Sequence, residues 1–216
     1  MKKWKSALIM LSIIILISTF LFFVPLDGII KYLPILNSFY KNTTLEITTP
    51  NGKSTVKIDG KEYGETPTNI QNLIAGEYEI ELSRTSAVEG YYKPHIFNVV
   101  LTKNSTSRIN MEIGPDDSLH GVVLYYTQDL IGTKGKGKIT LTTNSENAKI
   151  YTDDDFLKSA PVSNLDMNVG EYKMTVTAEN YQDLKFQIVV REGYILNIKG
   201  YLLPNPVNFE IVPSDG

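Results

Sequence analysis

The chain reads Thr66-Pro67 and then Gly76-Glu77-Tyr78, and it repeats this arrangement as Ala160-Pro161 followed by Gly170-Glu171-Tyr172. The spacing from proline to glycine is the same in both places. Self-similarity at a fixed offset is the signature of a duplicated structural unit. We therefore predict two copies of one small domain over most of the chain.

The alignment of the two copies extends upstream of the prolines. Residues 45–49 align with residues 139–143 without a gap, and Asp59 aligns with Asp153. The repeated residues are types that form turns and cores, and none is a catalytic type in a catalytic arrangement. The repeat therefore predicts architecture and leaves function to other residues.

Apolar and polar residues alternate in short segments after Thr44, as at Tyr78, Ile80 and Leu82. Alternation with period two, interrupted by Gly, Pro, Asn and Asp, is typical of half-buried antiparallel strands. Asp59-Gly60 predicts a hairpin turn, and Pro67 belongs at a strand start or a sheet edge because it lacks an N–H donor. The predicted fold is all-β, with about seven short strands in each of two tandem antiparallel β-sandwich domains.

The repeated Gly-Glu-Tyr segments suggest a structural role. We interpret Gly76 and Gly170 as glycines that close a turn at a φ that other residues avoid. We interpret Tyr78 and Tyr172 as inward-facing residues whose hydroxyls find a partner near the edge of the core.

Residues 121–126 form an apolar segment between the two copies that has no counterpart before the first copy. This segment predicts an extra strand, either at an edge of the second domain or as a brace between the two domains. Residues 134–138 read Lys-Gly-Lys-Gly-Lys, which indicates a flexible and polar segment.

The N-terminus differs in kind from the rest of the chain. Three lysines at positions 2, 3 and 5 precede the apolar run 7–24, which is long enough to span a bilayer as a helix. The lysines predict a cytoplasmic N-terminus and extracytoplasmic domains in a single-pass membrane protein. A cleavable signal peptide is the main rival, but the bulky residues 22–26 do not form a small-x-small cleavage site.

These patterns divide the chain into six parts. The predicted parts are a cytoplasmic tip and transmembrane anchor (1–25), a juxtamembrane linker (26–43), the first sandwich (44–115), an inter-repeat strand and linker (116–136), the second sandwich (137–204) and a C-terminal tail (205–216).

Composition excludes several classes of function. The 216 residues include no Cys, which excludes disulfides, a thiolate nucleophile, a cysteine zinc site and a lipid-anchor cysteine. The chain has 21 basic and 24 acidic residues; without the three N-terminal lysines the balance is 18 to 24, a net charge of −6. A nucleic-acid partner is disfavoured because a phosphate-binding surface needs the opposite sign.

Few residues suggest chemistry. His95 and His120 have no sequence neighbours that would form a triad or a metal site, and we expect both to lie on the surface. The acidic turn 153–155 lacks the ligand spacing of a calcium loop, so we expect a solvated hairpin tip. We expect no catalytic residue, no cofactor and no metal, and hence no enzyme activity.

Adjacent tyrosines are the candidates for a binding surface. Tyr91 and Tyr92 lie in a loop that is longer in the first copy than in the second, and Tyr125 and Tyr126 lie in the extra strand. Recognition usually occurs on loops held by a rigid scaffold, and Tyr is common at interfaces. One member of each pair can instead point into the core. Tyr91 and Tyr92 are the predicted binding surface.

The first copy joins a Val56-x-Ile58-Asp59-Gly60 strand and turn to Gly64-x-Thr66-Pro67 and to Gly76-x-Tyr78-x-Ile80. This resembles the PEGA domain, a small β-sandwich module of bacterial and archaeal surface proteins. The Pro-Glu-Gly-Ala string of the family name is absent, and the second copy has Lys158 at the position of Gly64. The resemblance implies the fold and a surface location, without an established activity or ligand site.

The sequence predicts a membrane-anchored cell-envelope protein. Its two non-catalytic sandwiches would act as a spacer or as a binding module for protein or cell-wall glycan. Two alternatives remain open. The chain could be a subunit of an envelope assembly or secretion complex, or an envelope hydrolase whose carboxylates meet from both domains.

Overall fold

A computed structural model describes residues 10–16, 18–19 and 41–206 of the chain. Residues 10–16 and 18–19 are helical, and in these described ranges no helix is both long and apolar enough to cross a membrane. The predicted anchor falls largely outside the described residues. The predicted linker up to residue 40 and the tail from residue 207 lie wholly outside them.

The described part from residue 41 onward is built of strands. The first copy contributes β1 (Lys41–Thr48), β2 (Thr55–Ile58), β3 (Lys61–Glu65), β4 (Thr68–Ile74), β5 (Gly76–Ser83), β6 (His95–Leu101) and β7 (Thr106–Ile113). The inter-repeat segment forms β8 (Leu119–Gln128). The second copy contributes β9 (Lys136–Thr143), β10 (Lys149–Thr152), β11 (Asp155–Ser159), β12 (Val162–Asn168), β13 (Gly170–Thr177), β14 (Leu184–Val190) and β15 (Tyr194–Tyr201).

The strands form one large sheet and two small ones. The seven-stranded sheet has the order β12-β9-β15-β8-β7-β1-β4, and the four-stranded sheets have the orders β3-β2-β5-β6 and β11-β10-β13-β14. Strand β8 pairs with β7 on one side and with β15 on the other. The sequence left two placements open for this strand, and in the structure it is the brace between the two copies.

The expectation of purely antiparallel sheets is wrong at two equivalent places. Strand β1 pairs parallel with β7, and β9 pairs parallel with β15. These are the first and last strands of each copy. The chain between them passes through a small sheet, which supplies the long connection that parallel neighbours need.

Strand β8 is buried on both faces. Val122, Leu124 and Tyr126 belong to the core of the second copy, whereas Val123 belongs to the core of the first. Because successive side chains of a strand point to opposite faces, the two small sheets must cover opposite faces of the shared sheet. Double burial explains why this strand is a continuous apolar run while the others alternate.

All the buried core residues that the structure describes in the two copies lie between Leu45 and Leu202. Because residues 41–206 hold both of these cores and all the strands that surround them, we expect this part of the chain to fold on its own. Lys136, which the sequence predicted to be the last residue of the linker, is the first residue of β9. A side chain at Gly137 would clash with the carbonyl oxygen of Arg191, so this glycine allows close packing of β9 against the second small sheet's last strand.

Gly121 allows β8 to approach β7. A Cβ atom there would clash with the carbonyl oxygen of Asn110 and lie 2.8 Å from the Cα atom of Met111. Both neighbours are backbone atoms, which cannot move aside without breaking the β7–β8 ladder.

We predict that Gly121→Ala lowers the free energy of unfolding by about 2–4 kcal/mol, because the added methyl group forces the two strands apart. Urea unfolding of residues 41–206 measures the effect. Gly132→Ala is the control, because a Cβ at Gly132 meets its nearest atom, in the Asp129 carboxylate, at 3.4 Å and should cost no more than about 0.5 kcal/mol. Equal losses from the two variants would contradict the argument.

The repeated prolines precede edge strands, as predicted. Pro67 comes directly before β4 and Pro161 directly before β12, and these two strands form the two edges of the seven-stranded sheet. The peptide bond before each proline is cis. The residue before each proline donates its backbone N–H across the turn, from Thr66 to Ser54 at 2.9 Å and from Ala160 to Ala148 at 2.7 Å.

The repeated glycines do not have the role predicted for them. Gly170 has no positive φ, and the φ of Gly76 is 159°, close to extended backbone. A Cβ atom would instead contact the ring of the tyrosine two residues later, at 3.9 Å from Tyr78 and 3.6 Å from Tyr172. Each glycine therefore lies next to a tyrosine ring on the same face of its strand.

The hairpin turn at Asp59 is conserved in shape where the sequence changes. Asp59 and Gly60 have φ values of 48° and 76°, and Asp153 and Asp154 have values of 48° and 71°. The Asp59 carboxylate accepts the N–H of Glu79 at 3.0 Å, and Asp153 accepts that of Lys173 at the same distance. The first Asp of each turn is structural, and the second copy keeps the turn without glycine.

The two repeated tyrosines make the same hydrogen bond at different burial. Tyr78 donates to the carbonyl oxygen of Ile74 and Tyr172 to that of Asn168, both at 2.9 Å, but only Tyr78 is buried.

We predict that Tyr78→Phe lowers the free energy of unfolding by about 1 kcal/mol, because it leaves a buried carbonyl without its donor. Tyr172→Phe should cost about half as much, since water can replace the lost donor at the more exposed site. Denaturant unfolding of both variants tests this. A larger loss for Tyr172→Phe would show that burial does not set the strength of the repeated bond.

Candidate binding surface

The strand directions define two ends of the shared sheet. Strand β1 is parallel to β7, and β8 is antiparallel to both β7 and β15, so β1, β7 and β15 all run the same way. We call the end at which β1 begins the near end, and the end at which β15 finishes the far end. The near end carries the connections 102–105, 129–135 and 191–193; the far end carries 49–54, 84–94 and 114–118.

The predicted tyrosine surface lies at the far end. The rings of Tyr91 and Tyr92 are 4.8 Å apart at an interplanar angle of 88°. Tyr91 is 44% exposed, while Tyr92 is half-buried against the core of the first copy. One tyrosine therefore faces solvent and the other anchors the loop, the arrangement that the sequence left open for such pairs.

Backbone contacts tie this loop to the next one. The N–H of Asp116 donates to the carbonyl oxygen of Tyr91 at 3.1 Å, and Tyr92 forms a β-bridge with Asp116. Lys93 forms an ion pair with Asp117 at 2.8 Å, and this hydrogen bond lowers the pKa of the Asp117 carboxyl. The exposed Tyr91 is thus presented on a supported loop.

Arg84 lies beneath the tyrosine pair and was not recognised from the sequence. Its guanidinium is 5.3 Å from the centroid of the Tyr92 ring. Its Nη1 donates to the Glu112 carboxylate at 2.9 Å and to the carbonyl oxygen of Ile113 at 2.7 Å. The Arg84 side chain is 8% exposed and that of Glu112 is 21% exposed, so this is a largely buried ion pair.

Two further contacts complete the Arg84 site. The other Glu112 oxygen accepts the N–H of Asn51 at 2.8 Å. A Cβ at Gly52 would lie 2.9 Å from Nη2 of Arg84, so only glycine leaves room for the guanidinium. Within the described ranges, Nε and Nη2 of Arg84 are buried without a hydrogen-bond partner.

The ion pair is a feature of the first copy. The pairing register of the two copies puts Ala178 and Tyr201 at the positions of Arg84 and Glu112. The only sequence signal for this site was therefore disagreement between otherwise matching copies.

Both histidines are half-buried, which corrects the expectation that they lie on the surface. Burial lowers the pKa of each imidazole; the charge of Asp117 opposes this shift at His95, and that of Glu112 opposes it at His120. Over the described part of the chain, Nε2 of His95 and Nδ1 of His120 have no hydrogen-bond partner. One ring nitrogen of each histidine is thus held away from water.

The second tyrosine pair joins the two copies. The Tyr126 hydroxyl donates to the carbonyl oxygen of Val189 at 2.6 Å, and Tyr126 is buried in the second core. Tyr125 lines a groove of about 320 Å³ together with Glu77 of the first copy and Lys199 of the second. Burial raises the pKa of both hydroxyls. This pair stabilises the junction, and Tyr91 and Tyr92 remain the predicted binding surface.

In the acidic segment 153–155, Asp153 and Asp154 form the hairpin turn described above and Asp155 is the first residue of β11. Among the residues that the structure describes, no three His, Asp or Glu side chains are placed to hold a metal ion.

The fold defines a protein of the duplicated β-sandwich class, with two seven-stranded copies on one shared sheet. The PEGA domain matches residues 42–116 and again residues 136–205, so the chain belongs to the PEGA domain family. Both copies suggested by the resemblance are confirmed.

Comparison with solved structures finds a likeness to the TIE protein of Bacillus anthracis at 13% identity and a TM-score of 0.28. The likeness covers 74% of this chain and 34% of that chain, so this chain spans about a third of its length. Among curated proteins, no match is found.

We predict that Arg84→Ala lowers the free energy of unfolding by about 3 kcal/mol, because it leaves the Glu112 carboxylate buried without its cation. Arg108→Ala is the matched control. The Arg108–Glu46 pair is 3.1 Å long but 48% and 36% exposed, and its loss should cost less than about 1 kcal/mol. Urea unfolding of residues 41–206 compares them, and similar costs would refute a buried role for Arg84.

Proposed function

We propose that this chain is a non-catalytic cell-envelope protein that is anchored in a membrane by its N-terminal segment. Its paired β-sandwiches space and present a binding surface for an envelope protein or a cell-wall glycan. The apolar run 7–24 and the lysines before it support an extracytoplasmic position for the sandwiches.

The observation that carries the spacer role is the placement of the two chain ends of the fold. The chain enters the shared sheet at Lys41 at the near end and leaves it at Tyr201 at the far end. Strands of 8 residues such as β1 span about 26 Å at ~3.3 Å per residue. The fold therefore separates Lys41, the residue at which the chain enters the sheet, from the far-end loops by about this distance.

The strand pairing that connects the two ends of the fold supports a load-bearing role. Strands β1, β7, β8 and β15 are consecutive neighbours in the sheet. A force that pulls Lys41 and Tyr201 apart acts along these strands. It shears the ladders β1–β7, β7–β8 and β8–β15, so the hydrogen bonds within a ladder share the load rather than breaking one at a time. Such a geometry resists extension without any catalytic group.

The binding role rests on Tyr91. It is exposed at the far end, opposite the point at which the chain arrives from the predicted anchor, and its loop is held by Tyr92 and Arg84. An amphipathic ring on a supported loop binds with little loss of conformational freedom. A planar ring suits either the apolar face of a sugar or a protein surface.

We predict that Tyr91→Ala weakens binding about tenfold, since an interface aromatic side chain contributes on the order of 1–2 kcal/mol. The variant is made in the fragment of residues 41–206. Its binding is measured by sedimentation with purified cell-wall polymer and by capture of solubilised envelope proteins. Tyr63→Ala is the control, because Tyr63 is 37% exposed on β3, outside the far-end loops. Equal losses from both variants would mean that Tyr91 is not the binding residue.

The proposed orientation has a separate test in intact cells. The full chain lacks Cys, so Val88→Cys, at a side chain that is 63% exposed near Tyr91, gives one reactive thiol. A membrane-impermeant thiol reagent should label it without lysis. Labelling only after lysis would overturn the extracytoplasmic position.

A further inference from the structure

The connection between β8 and β9 exposes two large aliphatic side chains at the near end. Leu130 is 90% and Ile131 is 88% exposed, more than any other large apolar side chain among the described residues. One exposed Leu is ordinary on a protein surface. Two adjacent ones at the tip of a single loop form an apolar projection, which requires an explanation.

The loop is held in place by its own polar contacts. The Asp129 N–H donates to the carbonyl oxygen of Gly193 at 2.9 Å, and the Asp129 carboxylate accepts the N–H of Ile131 at 3.2 Å. The same carboxylate forms an ion pair with Lys138 at 2.8 Å and is only 8% exposed. The Gly135 N–H donates to the Glu192 carboxylate at 3.0 Å. These contacts anchor both sides of the tip, so its apolar residues are presented rather than loosely tethered.

Basic residues follow the apolar tip. Lys134 and Lys136 are exposed, whereas Lys138 neutralises Asp129. The chain beyond residue 25 carries a net charge of −6, from 18 basic and 24 acidic residues. A local excess of positive charge on an acidic protein, next to an apolar tip, is complementary to a surface that is negative outside and apolar beneath.

The topology puts this tip beside the point at which the chain arrives from the predicted anchor. The pairing of β1 with β7 and of β7 with β8 puts the start of β1 and the end of β8 at the same end of the sheet, and these two strands are two strand spacings or about 10 Å apart. The apolar run ends at Val24, and the 17-residue step from there to Lys41 (41 − 24 = 17) can span at most about 60 Å. The tip therefore projects from the same end of the fold at which the chain enters from the predicted anchor.

We propose that the loop 129–136 docks on an anionic phospholipid surface, with Leu130 and Ile131 inserted at the headgroup boundary and Lys134 and Lys136 against the phosphates. This inference rests on the membrane anchoring in the proposed function. The docked loop gives the sheet a second point of attachment, so the strands stand away from the membrane and Tyr91 faces outward.

The test uses residues 41–206 with a histidine tag before Lys41, held on vesicles that contain a nickel-chelating lipid. The tag holds the near end at the bilayer whether or not the natural N-terminal segment is an anchor. Gly132→Cys provides the only thiol for an environment-sensitive fluorophore next to the tip, and Val88→Cys provides the matched far-end control.

On vesicles with phosphatidylglycerol, the Gly132 probe should shift to shorter wavelength and be quenched by lipids with a nitroxide on the acyl chain. The Val88 probe should show neither effect. Adding Leu130→Asp and Ile131→Asp should reduce the quenching at position 132 to the level of the Val88 probe. Lys134→Glu with Lys136→Glu should remove the preference for phosphatidylglycerol over phosphatidylcholine.

The results distinguish docking of the loop 129–136 from membrane anchoring by the N-terminal segment. A Gly132 probe that stays in water on both kinds of vesicle overturns the docking, and a tip that binds a protein partner instead gives this result. Quenching that persists in the double Asp variant also overturns it. Flotation of the full chain with vesicles tests the anchor independently, and its failure alongside insertion of the tagged fragment would contradict only the anchor.

Discussion

The central constraint in this structure is that β8 forms hydrogen bonds with both copies and is buried on both faces. Its edges pair with β7 and β15, and its side chains divide between the two cores. No other strand connects the copies in this way among residues 41–206. Without this strand the two copies would be separate units joined by a linker, and with it they share one sheet. Gly121 is the residue that allows β8 to approach β7 closely.

Pairing with β8 also sets the relative orientation of the copies. Because β7 and β15 lie antiparallel to the same strand, both copies have their corresponding loops at the same end of the molecule. Because alternate side chains of β8 face opposite ways, the small sheets lie on opposite faces. The molecule thus has two chemically different ends, one with the apolar and basic loop beside Lys41 and the other with the tyrosine loop.

The repeated residues and the divergent residues have separate roles. Asp59 and Asp153 shape the same turn, and Tyr78 and Tyr172 make the same hydrogen bond, so repetition marks what each sandwich needs in order to fold. Arg84 has no counterpart in the second copy, and it supports the exposed tyrosine loop. Leu130 and Ile131 lie between the copies, where no repeat constrains the sequence.

The sequence by itself determined the duplication, the strands and their turns, and the family, because each depends on local patterns: alternation, turn residues and fixed spacing. It also identified Tyr91 and Tyr92 as a loop pair. Only the tertiary structure decided that the copies share a sheet, that their outer strands pair in parallel, and that Arg84 meets Glu112, which is distant in the chain. Pairing between strands that are far apart in the sequence leaves no local pattern in it. The unbroken apolar run of β8 predicts only that this strand is buried on both faces, and does not predict which strands it pairs with. The same reason explains why the apolar tip at Leu130 became visible only once the fold had placed it beside Lys41.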